Sequence, residues 1–291
     1  MTMNRNELDK LITSQFSALT PKLQAAARYI LDNPKEVALQ SMRSVAANAN
    51  LQPASMLRLA KELKFDSYDT LRAVYVDWLS SQDASFVQRA SQLRQKSSND
   101  GTNGLLAEIF NKELANLDKA LGKENHKAFD LAQRMLKSAD RIYIFGIRSL
   151  YPAAFYLNYV CQTFSDKTRL VDGTAYTFVD DIRRIDKSDV LVVFSSDPYT
   201  NLSVDVANYA RERRAKIIAI TDSIVSPIAQ MASISIVATN SGPSLFPSIL
   251  PAIAISQTLG ALMLANAGED AMAELSAVES QLSSMKVYTR S

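Results

Sequence analysis

Three short segments that carry hydroxyl side chains, and in one case an arginine, each follow an apolar run and could together bind a small polar molecule. They are Gly146-Ile147-Arg148-Ser149, Ser195 through Thr200, and Thr221 through Ser226. Hydroxyl groups both donate and accept hydrogen bonds, and a guanidinium pairs with anions, so the set suits a phosphate, a carboxylate or a polyol. The predicted ligand-binding residues are Gly146, Arg148, Ser149, Ser195, Ser196, Thr200 and Ser226. Each single Ser or Thr has a structural alternative as a helix N-cap.

Catalytic side chains are much less evident than binding ones. His126 is the sole histidine and Cys161 the sole cysteine, so the chain can form neither a Cys/His zinc cluster nor a histidine-activated nucleophile. Cys161 lies in an apolar helical stretch, which favours a small buried side chain over a reactive thiol. Carboxylate or lysine chemistry remains, but no paired-carboxylate motif stands out. We therefore predict no catalytic residue, no metal site and no cofactor, and we expect a binding protein rather than an enzyme.

A different group of polar residues lies in the stretch SVAANANLQPASMLRLAKEL, residues 44 to 63. Two short patterns of helical apolar spacing are separated there by Asn48-Ala49-Asn50. Two helices joined by a turn of three or four residues form a helix-turn-helix, in which the second helix enters the major groove of DNA. The stretch therefore predicts a DNA-reading unit.

The two faces of the second helix sharpen this prediction. The inward residues are predicted to be Met56, Leu57, Ala60 and Leu63. The predicted DNA-binding residues are small or polar near the start of the helix and cationic around it: Arg43, Gln52, Ala54, Ser55, Arg58 and Lys61. Between residues 40 and 64, four basic residues stand against one acidic residue, which is only a weak excess. The alternative is the solvated face of an ordinary helical bundle.

Length and composition indicate how these segments are carried. The chain has 291 residues, of which 47% are hydrophobic, enough for two globular domains. It contains no apolar run of membrane-spanning length and no apolar core of a secretion signal, so we expect a cytoplasmic protein without a membrane partner. Residues 81 to 104 have the composition of a linker or an exposed connecting helix. We predict a helix-turn-helix domain over 1–80, a linker over 81–104 and a ligand-sensing domain over 105–291.

The rhythm of apolar residues differs between the two domains. Up to about residue 80 the spacing is helical, and the apolar residues from Val37 to Ala46 are expected on one helical face. Beyond Ala139, short apolar runs alternate with helical segments: RIYIF (141–145), TRLV (168–171), DVLVVF (189–194), KIIAIT (216–221) and ISIVAT (234–239). Such runs predict parallel strands covered on both faces. The fold class is thus an all-α N-terminal domain followed by a doubly wound α/β domain, whose ligands bind beyond the C-terminal strand ends.

Residues 20 to 79 resemble the N-terminal helix-turn-helix domain of the MurR/RpiR family of bacterial transcriptional regulators. The matching positions are Val45, Ala46, Gln-Pro-Ala-Ser-Met at 52 to 56, Arg58, Leu63, Phe65, Ser67, Tyr68 and Leu71. In the turn, Asn48 or Asn50 stands where the family usually has glycine, and asparagine tolerates the left-handed backbone. Leu59 and Lys64 replace an aromatic residue and a second glycine.

Residues from about 125 to 270 resemble the SIS (sugar isomerase) domain of the same family, which has a flavodoxin-like fold. The segment TDSIVSPIAQMA (221–232) fits its usual pattern well. SIS sugar-phosphate sites typically carry a motif like SxSGxT, of which only Ser195 and Thr200 are present, because Asp197 and Pro198 replace the second serine and the glycine. Two interpretations follow: Arg148 takes over as the anion partner, or Asp197 binds the hydroxyls of a neutral sugar or polyol.

The resemblance implies a regulator of carbohydrate or related carbon metabolism. Its partners would be operator DNA and a sugar-derived effector, with a sugar phosphate or sugar acid favoured. The apolar segment 241–264 is expected to be the helix that helps to form dimers in SIS domains, so we expect a homodimer or homotetramer. The alternatives are a sugar-phosphate isomerase with a helical appendage and a regulator that acts by protein contact. An isomerase needs a base, yet residues 247–266 contain no acid, and we interpret Asp172, Asp180 and Asp181 as capping or solvated residues.

Overall fold

A computed structural model describes residues 3, 5–82, 86–173 and 177–289 of the chain. The chain divides into two units, Met1–Gln88 and Arg89–Ser291. The described part of the first unit is helical, and the second unit holds a parallel sheet of five strands. The predicted fold class is therefore confirmed. The boundary between the units lies inside the segment 81–104, which is helical over its described residues from 86 onwards except at Gly101.

The first unit consists of short helices separated by tight breaks. Within residues 5–82 they are α1 (Arg5–Gln15), α2 (Pro21–Asp32), α3 (Pro34–Leu39), α4 (Met42–Asn48), α5 (Pro53–Glu62) and α6 (Tyr68–Gln82). Proline occupies the first turn of α2, α3 and α5, where its missing N–H is not needed. The apolar residues from Val37 to Ala46 lie on two helices rather than one. Gln40 is extended, and the Ser41 hydroxyl caps α4 by accepting a hydrogen bond from the Ser44 N–H at 3.3 Å.

Helices α1 and α6 are joined by polar contacts as well as by apolar packing. The Tyr75 hydroxyl donates to Asp9 Oδ1 at 2.8 Å, and Arg5 Nε donates to Asp9 Oδ2 at 3.2 Å. The Arg5 guanidinium also lies 3.9 Å from the ring centre of Trp78, a cation–π contact. Burial raises the pKa values of both Asp9 and Tyr75. The Asp9 carboxylate thus depends on its two donors for its place in the unit.

The second unit is built on a sheet in the order β2-β1-β3-β4-β5 with all neighbouring strands parallel. Its strands are β1 (Ile142–Gly146), β2 (Thr168–Leu170), β3 (Val190–Phe194), β4 (Lys216–Thr221) and β5 (Ile234–Val237). All five predicted strands are confirmed. The helices of this part of the chain are α7 (Phe86–Leu121), α8 (Lys123–Ser138), α9 (Tyr151–Gln162), α10 (Phe178–Ile182), α11 (Asn201–Glu212), α12 (Leu250–Ala265) and α13 (Glu269–Ser284).

Helices cover both faces of the sheet. One apolar cluster joins α8, α9 and α12 to one face, and a second joins α10 and α11 to the other. Every residue of β1 and β3 is consequently buried, which explains their uninterrupted apolar sequences. Cys161 lies in the first cluster with its Sγ 3.6 Å from Met263 Sδ, and burial raises the pKa of its thiol to about 12. The prediction of a buried cysteine is confirmed.

The segment between β5 and α12 differs from the prediction. A helix was expected over 241–264, but α12 begins only at Leu250, and residues 240–249 form no regular element. Phe246 therefore does not belong to the helix and is 44% exposed. Among the described residues, no single helix is long and apolar enough to cross a bilayer, although α12 and α13, bent at 115°, pass that test as a pair on length and composition.

Candidate functional sites

The turn between α4 and α5 is closed by two backbone hydrogen bonds. The Asn50 N–H donates to the Ala47 carbonyl at 3.0 Å, and the Leu51 N–H donates to the Ala46 carbonyl at 2.8 Å. Asn50 has φ 54°, whereas Asn48 is still part of α4. Asn50 is therefore the residue that adopts the left-handed conformation for which glycine is usual, and asparagine does so at little cost.

Helix α5 buries one side in the core of the first unit. Met56, Leu59 and Ala60 are fully buried, and Leu63 is 2% exposed. Leu57 was predicted to face inward, and this is wrong, because its side chain is 41% exposed. The buried positions recur at intervals of three and four residues, which places Leu59 on the core side and leaves Leu57 off it.

The opposite side of α5 is polar and accessible within the first unit. Among the predicted DNA-binding residues, exposed side chains are those of Arg43, Gln52, Ala54, Arg58 and Lys61, and Ser55 is half-buried. Gln52 occupies the N-cap position, but its side chain makes no capping bond. Lys61 Nζ donates to the Asp66 carbonyl at 2.6 Å, which keeps its ammonium near the end of the helix. Polar groups therefore extend along the whole outer side of α5, and their contact with DNA remains a prediction.

A second left-handed residue ends α5. Lys64 has φ 65°, and the next N–H, that of Phe65, donates to the Ala60 carbonyl at 2.9 Å. This is the hydrogen bond of a helix C-terminus closed by a left-handed residue, a position that strongly favours glycine. Lys64 is also the position at which the sequence departs from the glycine usual in the family.

In the second unit, the order of the strands identifies where a ligand would bind. The chain direction across the sheet reverses between β1 and β3, and open parallel sheets bind ligands beyond the strand ends at such a switch point. The segments after β1 and β3 carry every predicted ligand residue except Ser226, which follows β4. Gly146 ends β1, and a Cβ there would lie 2.8 Å from Cβ of Ala154, so the close packing of α9 onto β1 requires glycine.

The predicted ligand residues differ in how accessible they are. Arg148 and Ser149 are exposed in a single 3-10 turn before α9, where Arg148 has φ 54°. Ser195 is 3% exposed, and Ser196 is half-buried. The switch point is therefore lined by one exposed cation on the β1 side and by serines at the end of β3.

Two of the predicted ligand hydroxyls already serve the fold. Thr200 caps α11: its Oγ1 accepts from the Ser203 N–H at 3.4 Å and lies 2.8 Å from Ser203 Oγ. Ser226 is 1% exposed, and its Oγ accepts from the Ala229 N–H at 3.1 Å. The N-cap alternative thus describes both residues, and their role toward a ligand remains a prediction.

The sequence prediction missed Asp222, which lies directly after β4. Its Oδ1 accepts from the Tyr199 hydroxyl at 3.0 Å and from Thr221 Oγ1 at 3.2 Å. Burial raises the pKa of Asp222, although these donors and the backbone N–H of Asp197 act in the opposite direction. The carboxyl group therefore joins the segment after β3 to the segment after β4. An acidic residue immediately after an apolar strand was the available signal.

Asp172, Asp180 and Asp181 lie close enough to influence one another. Burial, together with the charges of Asp172 and Asp180, raises the pKa of Asp181, and the side chains of all three are exposed. In the described ranges, no three His, Cys, Asp or Glu residues are grouped so that they could hold a metal ion.

Comparisons with known proteins agree with this architecture. The SIS domain family matches residues 135–266. The chain is 25% identical over 232 residues to the HTH-type transcriptional regulator HexR of Pseudomonas aeruginosa, covering 77% of this chain and 75% of that protein. HexR of Escherichia coli is 25% identical over 237 residues, covering 79% and 77%.

Two solved structures share the fold. The sugar isomerase domain of an RpiR transcription factor from Sphaerobacter thermophilus covers 60% of this chain and 98% of its own, with 24% identity and a TM-score of 0.56. The Vibrio vulnificus NanR protein, complexed with ManNAc-6P, covers 97% of this chain and 100% of its own, with 18% identity and a TM-score of 0.51. The chain is thus a helix-turn-helix protein with a C-terminal SIS domain. These findings agree with the resemblance to the MurR/RpiR family that the sequence indicates.

Proposed function

We propose that the protein is a cytoplasmic, DNA-binding transcriptional regulator of carbohydrate or related carbon metabolism, and that its SIS domain senses a sugar-derived metabolite. The observation that carries the proposal is that α5 has an exposed polar side and directly follows a turn in which Asn50 adopts the left-handed conformation. A recognition helix needs this arrangement, because it must be fixed by its apolar side while its other side stays accessible. The HexR relatives, named as HTH-type transcriptional regulators, support the same conclusion.

We propose distinct roles for the predicted DNA-binding residues. Gln52, Ala54 and Ser55 lie at the start of α5, where a recognition helix approaches base edges. Arg43, Arg58 and Lys61 supply cations that pair with phosphates or guanine edges. A homodimer or homotetramer would carry helix-turn-helix units in pairs and read half-sites about 34 Å apart, or a multiple of that distance.

We propose that the effector binds at the switch point between β1 and β3. NanR, a neighbour in fold, is complexed with ManNAc-6P, which supports a phosphorylated sugar as the kind of ligand. Arg148 is the cation on the β1 side that would pair with a phosphate or carboxylate, and Ser195 and Ser196 would bind hydroxyls. The effector can change DNA affinity only through its preference between two arrangements of the protein, and we expect it to relieve repression.

The experiment for DNA binding uses a duplex from the region upstream of the protein's own gene. We expect sequence-preferring binding that weakens as salt increases. Arg58→Ala should lower the affinity by about 5-fold to 100-fold, the cost of a lost base or phosphate contact. Lys22→Ala is the matched control, because Lys22 is an exposed cation of the same unit that lies on α2 and not on α4 or α5. Equal losses from the two variants, or no binding by the parent protein, would contradict the proposal.

A further inference from the structure

We infer that a bend in α7 at Gly101 is a joint through which the SIS domain directs the helix-turn-helix unit. This inference rests on the function proposed above. It concerns the long helix that links the two units along the chain, and it is carried by contacts at the bend and by contacts between α7 and the edge of the sheet.

The bend itself is a local backbone feature. The helix α7 extends over Phe86–Leu121, but Gly101 within it has φ 64° and ψ −176°. This region of backbone conformation is essentially restricted to glycine. A Cβ at Gly101 would meet no atom within 4 Å, so the requirement for glycine comes from the backbone angles and not from lack of space.

One ion pair and one close backbone approach across Gly101 exist only because the helix is bent. Lys96 Nζ lies 2.5 Å from Glu108 Oε1, whereas residues twelve positions apart in a straight helix are separated by about 18 Å. A Cβ at Gly104 would lie 2.5 Å from Cβ of Asp100. Glycine at 104 is therefore required by close approach within the bend, although alanine would be preferred there in a straight helix.

The sequence around the bend does not strongly favour either form. Residues 97 to 103 read SSNDGTN, and all are weak helix formers. The Lys96–Glu108 ion pair is half-exposed and so stabilises the bent form only weakly. Because the local sequence and the ion pair stabilise the bend only weakly, contacts elsewhere on α7 can change the bend angle.

Such contacts connect α7 to the edge of the sheet where the ligand is proposed to bind. Glu113 Oε2 accepts from the Ser248 hydroxyl at 2.6 Å, and Asn116 Nδ2 donates to the Ser241 carbonyl at 2.8 Å. Both serines belong to the segment 240–249, which follows the C-terminal end of β5. Because all strands are parallel, this is the edge that also carries the segments after β1 and β3. A rearrangement at that edge would therefore change the contacts that α7 makes at Glu113, which lies twelve residues after the bend.

The bend is tested by cross-linking in the full-length protein. Lys96→Cys and Glu108→Cys are combined with Cys161→Ala and treated with a bismaleimide too short to span about 18 Å. We expect an intramolecular cross-link, detected by intact mass and peptide mapping. Gly101→Ala and Gly104→Ala should each lower its yield at least fivefold, while Ser98→Ala, an exposed position on the same helix, should not. Ser248→Ala, which removes the donor to Glu113, should lower the yield at least twofold.

The link to DNA is tested on the same protein. The cross-linked form and a form capped with N-ethylmaleimide are compared on the upstream duplex, and we expect affinities that differ at least fivefold. If both cysteines react with maleimide but no cross-link forms, the inference that α7 is bent at Gly101 is wrong. If the cross-link forms but does not change the affinity for DNA, the bend is not a joint that controls DNA binding. If Ser248→Ala leaves the cross-link yield unchanged, the bend is not connected to the sheet edge through Glu113. If no form binds DNA, the proposed function fails together with the joint, while the cross-linking result still decides the bend.

Discussion

The helix-turn-helix unit and the SIS unit both depart from the MurR/RpiR pattern that they resemble, but at different kinds of position. In the first unit, Leu59 replaces an aromatic residue in the core, and the two departures from glycine are Asn50 and Lys64, which adopt the left-handed backbone that glycine would adopt. The geometry of the turn and of the end of α5 is kept, at a conformational cost that is small for asparagine and about 1–2 kcal/mol for lysine. In the SIS unit the departures are Asp197 and Pro198, in the segment after β3 where the ligand is proposed to bind.

The departures in the first unit affect the backbone geometry of a site, whereas those in the SIS unit affect the chemical groups that a site presents. Replacing a glycine by asparagine or lysine changes the strain of a turn but not the groups that a partner meets. Replacing a serine and a glycine by Asp197 and Pro198 adds a carboxylate and removes an N–H donor, while the sheet that supports them is unchanged. The fold therefore supports a prediction of the first unit's partner better than a prediction of the second unit's ligand.

The largest effect is expected in the core of the first unit. Leu59→Ala should lower the free energy of unfolding by about 3 kcal/mol, because it removes a fully buried side chain and leaves a cavity. Leu57→Ala, two positions earlier on the same helix and 41% exposed, should change it by less than about 0.5 kcal/mol. Urea unfolding measures both. If the order were reversed, the side of α5 that we propose to contact DNA would be the wrong one.

That pair of leucines also shows how far the sequence alone leads. Helical spacing identified α5 as amphipathic, but both leucines fit an apolar stripe, and only packing against the other helices selects Leu59. The break at Gln40 and Ser41 was missed because apolar spacing continues through it, although Ser41 is a usual N-cap residue. Strands β1 and β3 could be predicted because complete burial leaves uninterrupted apolar runs, which need no knowledge of their neighbours.

Contacts between distant parts of the chain lay beyond the sequence. Glu113 and Ser248 are separated by 135 positions, and neither stands in a motif that indicates the other. Asp222 follows a predicted strand, but its donor Tyr199 belongs to the preceding strand-to-helix segment. Pairings of this kind are decided by how the elements pack, whereas the late start of α12 was signalled locally by Pro247 and Pro251.

A smaller effect is expected at the sheet edge of the SIS unit. Tyr199→Phe removes a donor to Asp222 and should cost about 2 kcal/mol at neutral pH, because a partly buried carboxylate loses a hydrogen bond. The pKa of Asp222 is already raised in the folded protein, and losing this donor raises it further. The cost is therefore complete above the folded pKa and decreases as the pH falls through it, because the carboxyl becomes protonated.

Thermal unfolding between neutral and acidic pH measures this dependence. Tyr209→Phe is the matched control, since its hydroxyl makes only a 3.4 Å bond to the Arg183 carbonyl on the surface. The control should cost less than about 0.5 kcal/mol and show no such pH dependence. A loss in Tyr199→Phe that is independent of pH would show that Asp222 is not the group it supports.

The next effect distinguishes the two interpretations of the ligand site. The probes are glucose 6-phosphate, gluconate and glucose, compared by thermal shift. If Arg148 is the anion partner, Arg148→Ala should weaken binding of an anionic probe about tenfold, and Asp197→Ser should strengthen it by removing a repulsive charge. Arg134→Ala, an exposed arginine on α8, is the control. Binding of glucose alone, lost in Asp197→Ser and kept in Arg148→Ala, would favour the neutral ligand instead.

The smallest effect returns to the left-handed residues of the first unit. Lys64→Gly should raise the free energy of unfolding by about 0.5 kcal/mol: a left-handed lysine costs about 1–2 kcal/mol, and the greater freedom of glycine in the unfolded chain offsets part of that gain. Asn50→Gly should change it by only a few tenths of a kcal/mol, because asparagine tolerates this conformation.

Ala25→Gly, at an exposed position inside α2, is the control and should lower the free energy of unfolding by about 1 kcal/mol. If Lys64→Gly were as destabilising as Ala25→Gly, Lys64 would have to be helical in solution. The end of α5, and with it the extent of the surface offered to DNA, would then differ from the arrangement described.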